Sequence, residues 1–220
     1  MKKLAIFDLD GTLADTAPDL LATLNRTTAP HGISAMQLSH IGQIVGHGAK
    51  AMIARAFELD GKQLDEITHD TLLDVFLEDY SKNLVNQTRL FDGLLEAMDS
   101  LESAGWEFAV CTNKKHAMAV PLLDQLGVST RFLATTGGDS FAFRKPDARH
   151  LIKTAELAGY TIEDAVMIGD SETDINAALN AGIPSVAVTF GYSGQPVQDL
   201  GASAIIEHFS ALPQVMAELR

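Results

Sequence analysis

Cysteine, positive charge and long apolar runs are all scarce in this sequence. The single cysteine, Cys111, excludes an internal disulfide and fits a reducing compartment. Lysine and arginine number 16 against 29 aspartates and glutamates, for a formal net charge of −13. A chain this acidic is poorly suited to lie along DNA, RNA or an anionic membrane, although a local cationic pocket for a small anion stays open. No stretch reaches the roughly 20 apolar residues of a spanning helix. The run LAIFDLDG is cut by acids too early to form the apolar core of a signal peptide. Internal repeats and low-complexity tracts are missing too. His31, His40, His69, His116, His150 and His208 show no metal-ligand spacing, and the seven methionines are scattered as packing residues would be. These absences lead us to expect a cytoplasmic protein, monomer or homodimer, with neither nucleic acid nor membrane as partner.

What remains is a chain of 220 residues, 46% apolar, enough for one sizeable core and an appendage. Several short apolar runs lack alternation and are separated by helix-length segments, as buried parallel strands are. They are LAIF (4–7), FAVC (108–111), FLATT (132–136), AVMI (165–168) and SVAVTF (185–190), with AII (204–206) as a weaker edge strand. Leu94, Leu95, Met98 and Leu101 share a helical face that Gly105 ends, and Pro146-Asp147 opens a helix carrying Leu151, Ile152 and Ala155. From about residue 90 onward, strand and helix alternate, which implies right-handed crossovers and a doubly wound α/β sheet. Trp106 is expected at an edge of that sheet, and Pro121 is expected to kink or start its helix.

Residues 16 to about 88 break the rhythm. Thr16 with Asp19 reads as a capping box for a helix with Leu20, Leu21 and Leu24 on one face, ended by Pro30 and Gly32. Ser34 with Gln37 would cap a second helix, and AKAMIARAFE (49–58) and LLDVFLEDY (72–80) would form two more. An insert of this size is more than a crossover. The expected division is an α/β domain of residues 1–15 and 88–220 carrying a helical domain of residues 16–87. The alternative is that these helices pad one face of the sheet.

Ligands of open α/β sheets bind beyond the C-terminal strand ends, at the switch point. Asp8 and Asp10 stand at such an end, and in extended geometry they point to the same side. An Asp-Gly turn between two strands would also produce DLDG, but no alternating partner strand follows. FAVC runs into Thr112 and Asn113, and AVMIG into Asp170, Ser171 and Asp174. Each cluster alone could be a helix cap. Meeting at one sheet edge, Asp8, Asp10, Asp170 and Asp174 would repel one another unless a hard divalent cation, such as magnesium, and a lysine such as Lys145 offset their charge.

DLDGT at 8–12, Thr112-Asn113, Lys145-Pro146 and GDSETD at 169–174 resemble, in order, the four motifs of the haloacid dehalogenase-like hydrolases. The helical insert resembles that family's α-helical cap. The resemblance implies a Rossmann-like core and a magnesium-dependent phosphatase acting on a small phosphorylated substrate. It makes Asp8 the nucleophile that becomes an aspartyl phosphate. Asp10 would be the general acid and then the base, its pKa raised by burial and by Asp8. Magnesium would be held by Asp8, the Asp10 carbonyl and Asp170, with Asp174 and Ser171 standing behind these ligands. Thr112 and Lys145 would hold the phosphoryl oxygens, helped by Asn113 and the backbone N–H groups from Leu9 to Gly11. Residues 15–25, 41–57 and 188–212 further resemble bacterial phosphoglycolate phosphatases. His47 and Lys50, in the glycine-spaced segment of Gly42, Gly46 and Gly48, would then read a second anionic group; a glycine-rich turn with solvated basic residues explains them equally well. The acid at position 10 disfavours dehalogenase and phosphonoacetaldehyde hydrolase chemistry. Phosphatases for sugar phosphates, pyrophosphate or nucleotides, a β-phosphoglucomutase-like phosphotransfer and a non-catalytic phosphate-binding regulator are the alternatives.

Overall fold

The computed structural model describes residues 3–219. In chain order the elements are β1 (Lys3–Phe7), β2 (Ala14–Asp15), α1 (Ala17–Thr28), α2 (Ile41–Ile44), α3 (Ala49–Leu59), α4 (Glu66–Ser81), β3 (Arg89–Leu90), α5 (Leu94–Ser103), β4 (Trp106–Cys111), α6 (His116–Gln125), β5 (Phe132–Thr136), α7 (Ala148–Leu157), β6 (Ala165–Gly169), α8 (Glu172–Ala181), β7 (Ser185–Val188), β8 (Ala204–Ile206) and α9 (Leu212–Glu218). Six strands form one parallel sheet in the order β5-β4-β1-β6-β7-β8. The chain leaves β1 for β4 on one side and later returns to β6 on the other, so the switch point lies at β1.

Strand alternation sorts the core into two layers. Ala5, Phe7, Phe108, Val110, Val166 and Ile168 share a buried cluster with residues of α5 and α9. Leu4, Ile6, Ala109, Cys111 and Met167 face the opposite way, with Leu151 and Ala155 of α7 and Ala177 and Ala178 of α8. Both faces of the sheet are covered, which explains why these strands read as continuous apolar runs. SVAVTF forms a strand only as far as Val188. Trp106 lies on an interior strand rather than an edge, buried, with the Lys3 ammonium 5.0 Å from its ring centre. Pro121 sits inside α6.

Helices α1, α3 and α4 pack chiefly on one another. The Thr16–Asp19 capping box does not form. The Thr16 hydroxyl turns to Asp10, and the buried Asp19 carboxylate reaches the second linker. There it accepts from the N–H groups of Asn86, Gln87 and Thr88, at 2.9–3.1 Å, and from the Thr88 hydroxyl at 2.8 Å. Nor does Ser34 pair with Gln37. Gln37 instead exchanges hydrogen bonds with His40 around a short 3-10 turn, while the Ser34 N–H donates to Asp60. Helix α4 begins six residues ahead of LLDVFLEDY because Asp65 caps it, accepting from the Thr68 N–H at 3.0 Å. Where the two linkers pass each other they pair as an antiparallel ribbon, Ala14 with Leu90 and Asp15 with Arg89. No helix among the described residues is long and apolar enough to cross a membrane.

Candidate active site

Chain geometry beyond β1 brings the acids together. The Asp8 N–H donates to the Ile168 carbonyl at 2.9 Å, so the strand register carries on to Asp8. The turn then closes through hydrogen bonds from the Leu13 and Ala14 N–H groups to the Leu9 carbonyl. Gly11 takes φ +85°, a conformation that disfavours side chains, and a Cβ there would stand 2.4 Å from Asp170 Oδ2. Gly191 is as constrained from the other side, since its Cβ would meet Asp170 Cβ at 2.2 Å and the Gly11 carbonyl at 2.5 Å. The two glycines let three loops converge on Asp170.

Carboxylate oxygens of Asp8, Asp170 and Asp174 all lie within 4.8 Å of one another, and all three residues are buried. Lys145, fully buried, places its Nζ 2.8 Å from Asp8 Oδ1 and 2.6 Å from Asp174 Oδ1. The Asp8 contact is an ion pair without hydrogen-bond alignment, which leaves that oxygen lacking an aligned donor. Asp174 is fully engaged, because its other oxygen accepts from the Ser171 N–H at 3.0 Å and the Ser171 hydroxyl at 2.7 Å, capping α8. Asp170 accepts from the Thr12 hydroxyl at 3.0 Å and the Tyr192 N–H at 2.6 Å.

Burial is the dominant electrostatic effect here. It pushes the Asp8 carboxyl up, Lys145 pulls it back, and the balance rests at about 6. Asp170 is held well above the carboxylate range by burial and by the charges of Asp174 and Asp8. Burial alone would lower Lys145, but Asp174 and Asp8 outweigh it and hold the ammonium above its ordinary value. Crowded, desolvated oxygen donors of this kind are an incomplete charge set, and they fit a hard divalent cation.

The remaining candidates divide. Thr112 is buried, and its hydroxyl oxygen accepts from the Lys114 N–H at 3.2 Å, leaving its proton to donate. The Asn113 amide does not face the crevice as a donor; it donates to the carbonyls of Gly46 and Lys145, both at 3.1 Å, and so pins the insert's glycine loop to the lysine loop. The Gly11 N–H is spent on the Ala14 carbonyl at 3.0 Å. Leu9 is buried within the turn. Lys50 lines the cleft that contains Asp8 and Asp10, but its ammonium is half-exposed and pairs with Asp70 at 2.5 Å. His47 lies in a separate cleft beside Glu172, 3.9 Å away.

Lys114 is the residue that the sequence did not single out. Its buried ammonium lies 2.8 and 3.1 Å from the two Asp10 oxygens and 2.9 Å from the Tyr80 hydroxyl, and 4.6 Å from the centre of the Tyr80 ring. Asp10 thus has a cation at hand, and it also accepts from the Thr16 hydroxyl at 2.7 Å. Only the pair of lysines in TNKKH hinted at this, and such a pair ordinarily marks a solvated surface.

A sheet edge with two spaced aspartates, a buried lysine and a distal acid pair defines a class of hydrolase. The chain belongs to the haloacid dehalogenase-like hydrolase family, whose model matches residues 5–188. Within it, the chain is 45% identical over 218 residues to a phosphoglycolate phosphatase of Agrobacterium fabrum, covering 99% of this chain and 94% of that protein. It is 46% identical over 217 residues to a phosphoglycolate phosphatase of Mesorhizobium japonicum, covering 99% and 96%. The crystal structure of a predicted phosphoglycolate phosphatase from Haemophilus somnus superposes with a TM-score of 0.90 at 28% identity, over 98% of each chain.

Proposed function

We propose that the protein hydrolyses a small phosphomonoester, 2-phosphoglycolate, with magnesium and through a phosphoaspartate on Asp8. The observation that carries this is the convergence of Asp8, Lys145, Asp170 and Asp174 at the end of β1, with Asp10 two residues further on. The names of the relatives supply the ester, and the cleft size agrees with them. The cleft between the acids and the helical insert encloses about 150 Å³, against roughly 300–1,000 Å³ for pockets that take drug-sized ligands.

Asp8 attacks phosphorus, and the bond to the ester oxygen breaks. Asp10 hands its proton to that oxygen as the alcohol leaves. A water then attacks the phosphoaspartate. Asp10 takes its proton, the Asp8–phosphorus bond breaks, and phosphate departs. Lys145 and the Thr112 hydroxyl hold the non-bridging oxygens, and Leu9 and Asp10 offer the turn's remaining backbone N–H groups. Asp174 and Ser171 act by fixing Lys145 and the start of α8. Asp8, the Asp10 carbonyl and Asp170 would hold magnesium, which offsets the carboxylate charge and polarises the phosphoryl group. The insert of residues 16–87 serves as a cap over this crevice and excludes water.

The test is phosphate release from a panel of small esters with magnesium. We expect 2-phosphoglycolate to be the best substrate, EDTA to stop turnover, and Asp8→Asn to stop both turnover and phosphate incorporation. Preference for a hexose or nucleotide phosphate would overturn the substrate, and an active Asp8→Asn enzyme the mechanism.

A further inference from the structure

Among the described residues, two lysine ammonium groups are buried. Lys145 has two carboxylates and belongs to the phosphoryl site. Lys114 stands on the other side of Asp10, where the alcohol must leave. An ammonium carries three donors. Lys114 directs hydrogen bonds to both Asp10 oxygens and to the Tyr80 hydroxyl, so a carboxylate arriving in the cleft would take over the longer of the two Asp10 contacts, at 3.1 Å. The residue lines the cleft between Asp8, Asp10 and the apolar side chains of α4. The other cations there are poor rivals. Lys50 is taken by Asp70, and Lys115 and Arg144 are exposed.

We propose that Lys114, steadied by Tyr80, is the residue that reads the carboxylate of the leaving group. This rests on the phosphoglycolate reading above and goes beyond it, since it assigns substrate selection to a buried lysine of the loop after β4 and not to His47 or Lys50 of the insert. In 2-phosphoglycolate the carboxylate lies two covalent bonds beyond the ester oxygen. Asp10 must reach that oxygen, and the Lys114 ammonium lies 2.8 Å from Asp10, so a leaving group this short sets its carboxylate beside the lysine. A longer or branched leaving group would carry its charge past it. The chemistry agrees with the geometry: a buried ammonium lining a cleft of apolar side chains offers a second carboxylate a charge-assisted hydrogen bond. Tyr80 belongs to α4 and is stacked on Phe76 with ring centres 5.7 Å apart, so the same contact ties substrate recognition to the insert.

The experiment compares 2-phosphoglycolate with ethyl phosphate, which replaces the carboxylate by a methyl group. It also compares binding of 3-phosphonopropionate and propylphosphonate, their non-hydrolysable counterparts, by calorimetry with magnesium. In the wild type the carboxylate compounds should win both comparisons. In Lys114→Met, the ratio of kcat/KM for 2-phosphoglycolate over ethyl phosphate should fall by about 10- to 150-fold, the worth of a charge-assisted hydrogen bond. Tyr80→Phe should lower the same ratio a few-fold, and Lys50→Gln should leave it within about twofold. Equal losses on both esters in Lys114→Met would overturn the proposal, leaving Lys114 as an anchor for Asp10. So would collapse of the ratio in Lys50→Gln, or equal binding of the two phosphonates by the wild type. A wild type that strongly prefers 2-phosphoglycolate while Lys114→Met keeps the preference would sink this inference alone. A wild type that ignores 2-phosphoglycolate would sink the functional reading as well.

Discussion

Replacing Asp8 should make the metal-free protein more stable. Asp8 is buried, and in the fold it holds its proton up to about pH 6, whereas the unfolded chain releases it near 3.8. Between those values the native state binds more protons than the unfolded state, so stability falls as pH rises and levels off above about 6. The displacement amounts to about 3 kcal/mol at most, since one pKa unit is worth about 1.4 kcal/mol. Asp8→Asn removes the charge and keeps the shape, and Lys145 retains Asp174 at 2.6 Å. In EDTA at pH 7.5 the variant should therefore melt higher than the wild type. At about 2–4 °C per kcal/mol for a chain of this size, the gain has a ceiling of roughly 12 °C. Thermal melts from pH 7.5 down to 4 should show the gap closing across the window between 6 and 3.8. Saturating magnesium should close it at neutral pH as well, because an ion that binds only the folded wild type stabilises it by mass action. A wild type as stable as the variant in EDTA at pH 7.5 would show that burial does not strain Asp8, and the electrostatic case for the cation would fail.

Two further outcomes follow from the packing. Asp19→Ala strips the acceptor from three N–H groups and a hydroxyl of the second linker, and urea melts should show a loss of about 3 kcal/mol or more. Gly191→Ala presses a methyl group onto Asp170, so the magnesium concentration for half-maximal activity should rise at least tenfold while Thr112 and Lys145 stay in place.

The parallel sheet could be read from the sequence because strands covered on both faces leave unbroken apolar runs, and even the short edge strand AII falls at residues 204–206 as its pattern suggests. The gathering of Asp8, Asp170 and Asp174 was legible for a related reason, since charge at the end of a buried strand needs a partner, whereas Asp10 pairs with Lys114 instead. Ribbon strands of two residues each are too short to leave a pattern, and β2 and β3 could not be seen. Asp19 matched a local capping pattern, but its partners lie 67 to 69 residues away, and tertiary hydrogen bonds overrode the local one. Lys114 escaped for the opposite reason. In TNKKH it is indistinguishable from Lys115, and only the fold decides that one of the pair is buried against Asp10 while its neighbour faces solvent.

The ribbon of Ala14-Asp15 with Arg89-Leu90 has a mechanical consequence. Both covalent crossings between the sheet and the helices run through it, and they are stitched to each other. Two independent tethers could splay apart; a stitched pair keeps one spacing where it leaves the sheet. Tyr192, whose hydroxyl accepts from the Ala17 N–H and donates to Asp15, and whose own N–H donates to Asp170, spans from the start of α1 to the acid cluster beside that stitch. Asp170 and the first helix of the insert are therefore indexed to one another through a single side chain.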